Sequence, residues 1–366
     1  MACTRGMNAW FVPKTEGIKY AGSKLKIIPR IVSLLASQKL SFTSVLDVFS
    51  GTTRVSQAFS QLGFSTTAND ISEWSEVFAT CYLLSFEQDH YYQDLLDHLN
   101  ALEGRRGWFT EHYGGVGEMS KRPFQEHNTQ KLDAIREELE RLQLPWIDKC
   151  VLLTSLIYAL DSVDNTLGHY AAYLSKWSAR SYHTMELKLP RRFHRERPCS
   201  VLREDAFLAV DRYHDLMYLD PPYGSNNEKM PPSRVRYSAY YHIWKTIVLN
   251  DQPELFGKAN RRVDSRDALS SSVFEEFRRD EAGHFIAMNA IDRLIEKANC
   301  RYILLSYSSG GRATKGELYD IISRHGCLLD AVEFDYKKNV MATMTWSREW
   351  VNQENTHKEY LFLMKK

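Results

Sequence analysis

Asp215-Leu-Met-Tyr-Leu-Asp-Pro-Pro-Tyr223 is a short apolar run closed by a carboxylate, two prolines and an aromatic ring. A run of this length and composition reads as a strand buried on both faces of a parallel sheet. The prolines end it, because neither can donate to the next ladder. Ligands of open α/β sheets bind outside the carboxyl ends of the strands. A carboxylate, a stiff backbone and a ring placed there form a site for a flat ring that carries an amino group, and that points to a nucleobase.

Upstream, Val45-Leu-Asp-Val-Phe-Ser-Gly51 is a second apolar strand running into a glycine turn, with a helix predicted over 52–62. A strand follows over 64–69 with Asp70 at its tip, which completes a β-α-β unit. Further strands are predicted near 199–203, 216–219, 301–306, 328–334 and 359–364, with helices at 207–213, 284–297 and 315–325. Alternation of this kind predicts an α/β fold with a doubly wound, mainly parallel sheet. Ahead of it, residues 1–16 read as a loose arm and 25–37 as a helix. Between 73 and 197 the pattern is largely helical: 73–100, 132–142 and 147–160 are predicted helices. Asp164-Asn-Thr166 offers a cap for another over 167–174, and the glycine-rich stretch 102–123 reads as a mobile loop. We therefore divide the chain into a discontinuous catalytic domain, 17–90 and 198–366, and a helical insertion, 91–197.

Composition sets limits. The 366 residues are 43% apolar and 25% charged, ordinary for a water-soluble globular chain, and no apolar stretch is long enough for a membrane span. The six cysteines stand singly, with neither the paired spacing of a zinc site nor the His-x-Glu and Pro-Cys-x-x-Cys signature of zinc deaminases. No metal is expected, and a reducing, cytoplasmic setting fits. A net charge of +1 does not announce a nucleic-acid protein, but Pro190-Arg-Arg-Phe-His-Arg-Glu-Arg-Pro198 gathers basic residues that could meet phosphates; a solvated loop reads equally well.

Gly51 stands without the Gly-x-Gly-x-x-Gly spacing of a dinucleotide site, which disfavours nicotinamide and flavin. A single glycine lets the backbone approach a smaller adenosyl ligand, and Asp70 is placed to accept from ribose hydroxyls. The two motifs, the glycine turn first and Asp220-Pro-Pro-Tyr223 second, together resemble the Dam-like, or alpha-group, DNA adenine-N6 methyltransferases, found as restriction-modification partners or as solitary enzymes. Lys19-Tyr-Ala-Gly-Ser-Lys24 resembles their N-terminal motif, with tyrosine where tryptophan is common.

The resemblance implies a Rossmann-like methyltransferase sheet, S-adenosylmethionine as donor, double-stranded DNA as substrate and a bacterial setting. A cognate restriction endonuclease encoded separately would be a possible partner. It implies that Tyr20 and Lys24 meet the methionine end of the donor, that Asp47, Phe49, Gly51, Asp70 and Asp220 belong to the donor site, and that Asp205 and Phe207 hold the donor's adenine. Asp220, Pro221, Pro222 and Tyr223 would act on the flipped target base. A carboxylate from Asp220 and the Pro221 carbonyl, each accepting an N6 hydrogen, would aim the nitrogen lone pair at the methyl group, and Tyr223 would stack on the ring.

Other assignments follow less directly. The insertion is expected to read the target sequence, with Arg180, Arg191 and Arg192 as guanine readers or phosphate clamps. Lys337 and Lys338 would contact the DNA backbone, and the segment 225–241 would hold the flipped base. Asp205 could equally be a helix cap. Cytosine N4, RNA adenine, a protein glutamine and an inactive nucleic-acid-binding relative stay open as alternatives.

Overall fold

Seven strands pair into one sheet. In the computed structural model, which describes residues 10–115, 122–224, 236–337 and 356–366, the strands are β1 Ser44–Asp47, β2 Ser65–Asn69, β3 Ser200–Leu202, β4 His214–Leu219, β5 Cys300–Ser308, β6 Cys327–Lys337 and β7 Thr356–Lys365. Their order across the sheet is β6-β7-β5-β4-β1-β2-β3. β7 runs antiparallel to both its neighbours, while β1 to β5 are parallel. Strand order reverses between β1 and β4, which opens a crevice outside their carboxyl ends. Asp47 ends β1 and Asp220 follows β4, so the two sequence motifs meet at that crevice.

Alternate residues of the strands supply two cores, as the pleat requires. Val45, Leu216, Tyr218, Leu304, Leu361 and Leu363 face α1, Ile28–Ser37, and α2, Arg54–Gln61. Leu46, Met217, Leu219, Ile303, Leu305 and Phe362 face the opposite helical layer. Full burial of each such side chain stabilises the fold by about 1.5–3 kcal/mol.

The helical part is α3 Glu73–Leu83, α4 Asp89–Ala101, α5 Trp108–Tyr113, α6 Glu126–Arg141 and α7 Trp146–Val163. Beyond β3 come α8 Ala206–Ala209, α9 Tyr237–Tyr240, α10 His242–Leu249, α11 Ile286–Lys297 and α12 Lys315–His325. Trp74 and Phe78 of α3, Leu132 and Ile135 of α6, Leu156 of α7, and Trp244 and Ile247 of α10 are buried in one continuous core. Helices within 91–197 therefore pack directly on elements that flank the sheet.

Three expectations need correction. Residues 10–16 are not loose: Arg54 Nη1 donates to the Thr15 carbonyl at 2.7 Å, and Glu16 N donates to Gln57 Oε1 at 3.0 Å. The stretch 102–123 contains α5, whose first N–H groups are capped from α6, since Asp133 accepts from Phe109 N and Thr110 N, each at 2.9 Å. No helix forms over 167–174. Asp164 instead ends α7 and is buried between Lys19 and Arg180, at 2.6 and 2.7 Å.

Candidate active site

Two chain segments far apart in sequence build the centre of the crevice. A short 3-10 turn, Lys24–Lys26, points the buried Lys24 side chain at the carboxyl end of β4. Its Nζ lies 3.0 Å from Asp220 Oδ1 and donates to the Tyr223 hydroxyl at 2.5 Å. That hydroxyl in turn donates to Asp220 Oδ1 at 2.5 Å. Burial pushes the Asp220 carboxyl up from the usual carboxylate range, and the Lys24 ammonium pulls against it. The Tyr223 ring packs against Tyr307, with centroids 4.8 Å apart. Pro221 and Pro222 continue the chain between these two groups with φ fixed by their rings.

Beside this group is a cleft of about 300 Å³, lined by Tyr20, Lys24, Asp47, Phe49, Gly51 and Asp220 among others. Gly51 has φ +47°, and a Cβ there would come within 3.3 Å of the Tyr20 hydroxyl, so the turn requires glycine. Tyr20 stacks on Tyr241, with centroids 4.7 Å apart. Asp47 accepts from Ser56 Oγ at 2.6 Å, whereas its Oδ1 is buried without a hydrogen-bond partner among the described residues. Burial pushes its carboxyl up to about 7. An oxygen of this kind at a cleft wall suits a ligand ammonium.

Asp70 accepts from Gly51 N at 2.8 Å and from Ser72 N at 2.9 Å, so it shapes the glycine turn that lines the cleft. Burial raises its carboxyl and those N–H groups oppose the rise. Asp205 is exposed and caps α8, accepting from Phe207 N at 2.8 Å. Phe207 stacks on Phe274 at 5.7 Å, and Phe274 meets the Phe49 ring edge-on at 5.2 Å. The three rings form an apolar wall between β1 and α8.

This arrangement coincides with a known pattern. The profile of the D12 class N6 adenine-specific DNA methyltransferases matches residues 20–275. The chain belongs to that family. The donor of D12 methyltransferases is S-adenosylmethionine, and DNA is their substrate. Similar curated proteins include the type II methyltransferase M.NlaIII of Neisseria lactamica, 28% identical over 95% of this chain and 99% of its own length. M.FokI of Planomicrobium okeanokoites is 27% identical over 84% of this chain, which spans only 47% of that relative. M.CviAII of Paramecium bursaria Chlorella virus 1 is 25% identical over 84% of this chain and 89% of its own.

The residues of this D12 chain fit the donor. The orphaned Asp47 oxygen, the close backbone approach at Gly51 and the Phe49-Phe274-Phe207 wall offer a partner to an ammonium, room for an adenosyl group and a surface for its base. Phe274 has no sequence signal beside it, since it lies in a short 3-10 turn far from either motif. Tyr237 and Tyr241 fall in the segment expected as a loop; Tyr237 opens α9, Tyr241 joins α9 to α10, and both pack on Tyr20. Among the described residues no group of His, Cys, Asp and Glu could hold a metal ion, and no helix is long and apolar enough to cross a membrane.

The basic residues divide. Arg192 lies over the Tyr92 ring and pairs with Asp89, and Arg195 donates to the Tyr82 and Ser85 carbonyls. Arg180 donates to the Asp164 and Thr166 carbonyls. These three hold the fold together, while Arg191 and Arg197 are exposed. Lys338 and residues 225–235 of the expected base-holding segment lie outside the described residues, as does the Lys337 side chain.

Proposed function

We propose that this chain methylates adenine N6 within a specific sequence of duplex DNA, with Asp220 as the group that receives the exocyclic amine. The single observation that carries the residue assignment is the contact of Asp220 with Lys24 and Tyr223 at the edge of the donor cleft. The donor supplies an activated methyl group on a sulfonium, so the chain need only position and polarise the acceptor. Asp220 accepts one N6 hydrogen and the Pro221 carbonyl the other, which localises the nitrogen lone pair. Lys24 keeps Asp220 ionised in a buried setting where burial alone would favour the acid.

Lys24 and the Tyr223 hydroxyl both meet Asp220 Oδ1, and movement of that hydroxyl off the carboxylate would free the Tyr223 ring to stack on the base. On the donor side, Asp47 and Tyr20 hold the methionine end, and Asp70 and the Phe49-Phe274-Phe207 wall the adenosyl end, with Asp205 at its rim. Target reading falls to the helical region 91–197, where Arg191 and Arg197 are free to reach DNA. The type II relatives support a separately encoded endonuclease as partner, and a cytoplasmic site of action follows from the substrate.

Incubating the protein with labelled S-adenosylmethionine and unmethylated duplex DNA, followed by nucleoside analysis, tests this reading. The expected product is N6-methyladenine, lost in Asp220→Ala. Label in N4-methylcytosine, or in neither base, would overturn it.

A further inference from the structure

Tyr218 of β4 lines the donor cleft together with Asp47 and Asp220. Its side chain is only 1% exposed, yet its hydroxyl has no hydrogen-bond partner among the described residues. The Ser306 hydroxyl of β5 lies beside it without completing a hydrogen bond, and is itself 3.4 Å from the Tyr223 hydroxyl. A buried hydroxyl left unpaired destabilises a fold. One at a cleft wall suits a polar group of a ligand.

Register and charge say which group. Asp47 and Tyr218 pair on the parallel strands β1 and β4, so their side chains stand on the same face of the sheet. Asp47 also keeps one oxygen, Oδ1, buried without a hydrogen-bond partner among the described residues. Two such atoms, one of a carboxylate and one of a phenol, thus belong to neighbouring strands at one cleft wall. Burial, then the charges of Asp220, Asp47 and Glu359, push the Tyr218 phenol well above its usual range, so it is a neutral hydroxyl at neutral pH. The same three acids disfavour a ligand carboxylate beside it and favour a ligand ammonium. Lys24, the lysine of the cleft wall, is engaged by Asp220 and Tyr223.

We infer that the Tyr218 hydroxyl accepts a hydrogen bond from the ammonium group of the donor's methionine end, beside the ion pair that this ammonium makes with Asp47. The inference rests on the placement of that end at Asp47 proposed above. An ammonium carries three N–H donors. Asp47 Oδ1 takes one and Tyr218 a second, so the pair fixes the direction of the group as well as its charge. The sulfonium is carried on the same short chain of atoms, and holding the ammonium at two points restricts where the methyl group lies relative to Asp220. Tyr218 is a binding residue for the donor and does not touch the acceptor base.

The test is calorimetry of the full chain with three probes: S-adenosylhomocysteine, its analogue with hydrogen in place of the amino group, and 5′-methylthioadenosine, which lacks the amino-acid end. Tyr218→Phe deletes only the unpaired oxygen, so its melting temperature without ligand is expected at or above that of wild type. S-adenosylhomocysteine is expected to bind this variant about tenfold more weakly, the scale of a hydrogen bond to a charged group. The other two probes should bind variant and wild type alike. A loss shared by methylthioadenosine would make Tyr218 a packing residue, and a loss shared by the deaminated analogue would give the hydroxyl to the donor's carboxylate. Either result, or unchanged binding of S-adenosylhomocysteine, overturns the inference. If Tyr218→Phe does not fold, Asp47→Ala serves: the hydroxyl should still give it a preference of about tenfold for S-adenosylhomocysteine over the deaminated analogue, and equal binding of the two would overturn the inference. An Asp47→Ala protein that binds S-adenosylhomocysteine as tightly as wild type would instead sink the placement of the methionine end at Asp47.

Discussion

β4 carries an aspartate near each end, and the two have opposite fates. Asp215, near its start, accepts from Thr43 N at 2.8 Å, from Ser44 N at 3.1 Å and from the Thr43 hydroxyl at 3.0 Å, with Arg301 at 3.2 Å. Burial pushes its carboxyl up, but these N–H donors outweigh burial and hold it at about 2. Asp220, just past the other end, accepts from no backbone N–H among the described residues; burial raises it, and the Lys24, Tyr223 and Ser306 side chains oppose the rise. A carboxylate held at once by backbone N–H groups, a hydroxyl and an arginine has little left to offer a substrate. One balanced between burial and a single ammonium can exchange those partners for an incoming amine.

The difference can be attacked at both ends. Asp220→Ala should cut single-turnover methylation by about 10²–10³-fold, the scale of losing one polarising group, with donor affinity nearly unchanged by calorimetry. Retained turnover would mean that another group receives the amine. Lys24→Met should cost about 10–10²-fold at neutral pH: removing the ammonium raises Asp220 further, so the lost rate should be recovered partly as pH rises. A pH-independent loss would assign Lys24 to packing alone.

Asp215→Asn should lower unfolding free energy by about 1–3 kcal/mol and leave turnover per folded molecule unchanged. Its contribution has a definite sign: the folded carboxyl titrates at about 2, below the ordinary value near 4. The stabilisation is therefore complete above that ordinary value and fades as pH falls towards the folded one. Thermal melts of wild type and variant should converge in acid and separate at neutral pH. The smallest effect is expected from Tyr223→Phe, which keeps the ring and removes the hydroxyl bonded to Lys24 and Asp220, a net change of about 1 kcal/mol or roughly fivefold in rate.

The sheet was legible because most of its strands carry an apolar run next to a turn signal, and the family motifs mark the ends of β1 and β4. Helix α12 falls on the predicted residues 315–325, since Thr314 and Glu317 form a local capping box. Features set by distant partners were not legible. Nothing near Trp108 announces α5, whose cap is Asp133 on α6. Asp164 reads as a helix cap until Lys19 and Arg180 are brought to it. At the site, residues inside motifs could be named in advance. Phe274 could not, because only a 3-10 turn far from either motif carries it to the crevice.

The contrast within β4 is tested most directly by thermal melting and single-turnover DNA methylation of Asp215→Ala and Asp220→Ala, measured together well below both melting temperatures. The expected result is a crossed pattern. Asp215→Ala melts lower and methylates adenine at the wild-type rate, and Asp220→Ala binds the donor but transfers almost no methyl group. Full activity in Asp220→Ala, or an Asp215→Ala protein that is folded yet inactive, would contradict the account.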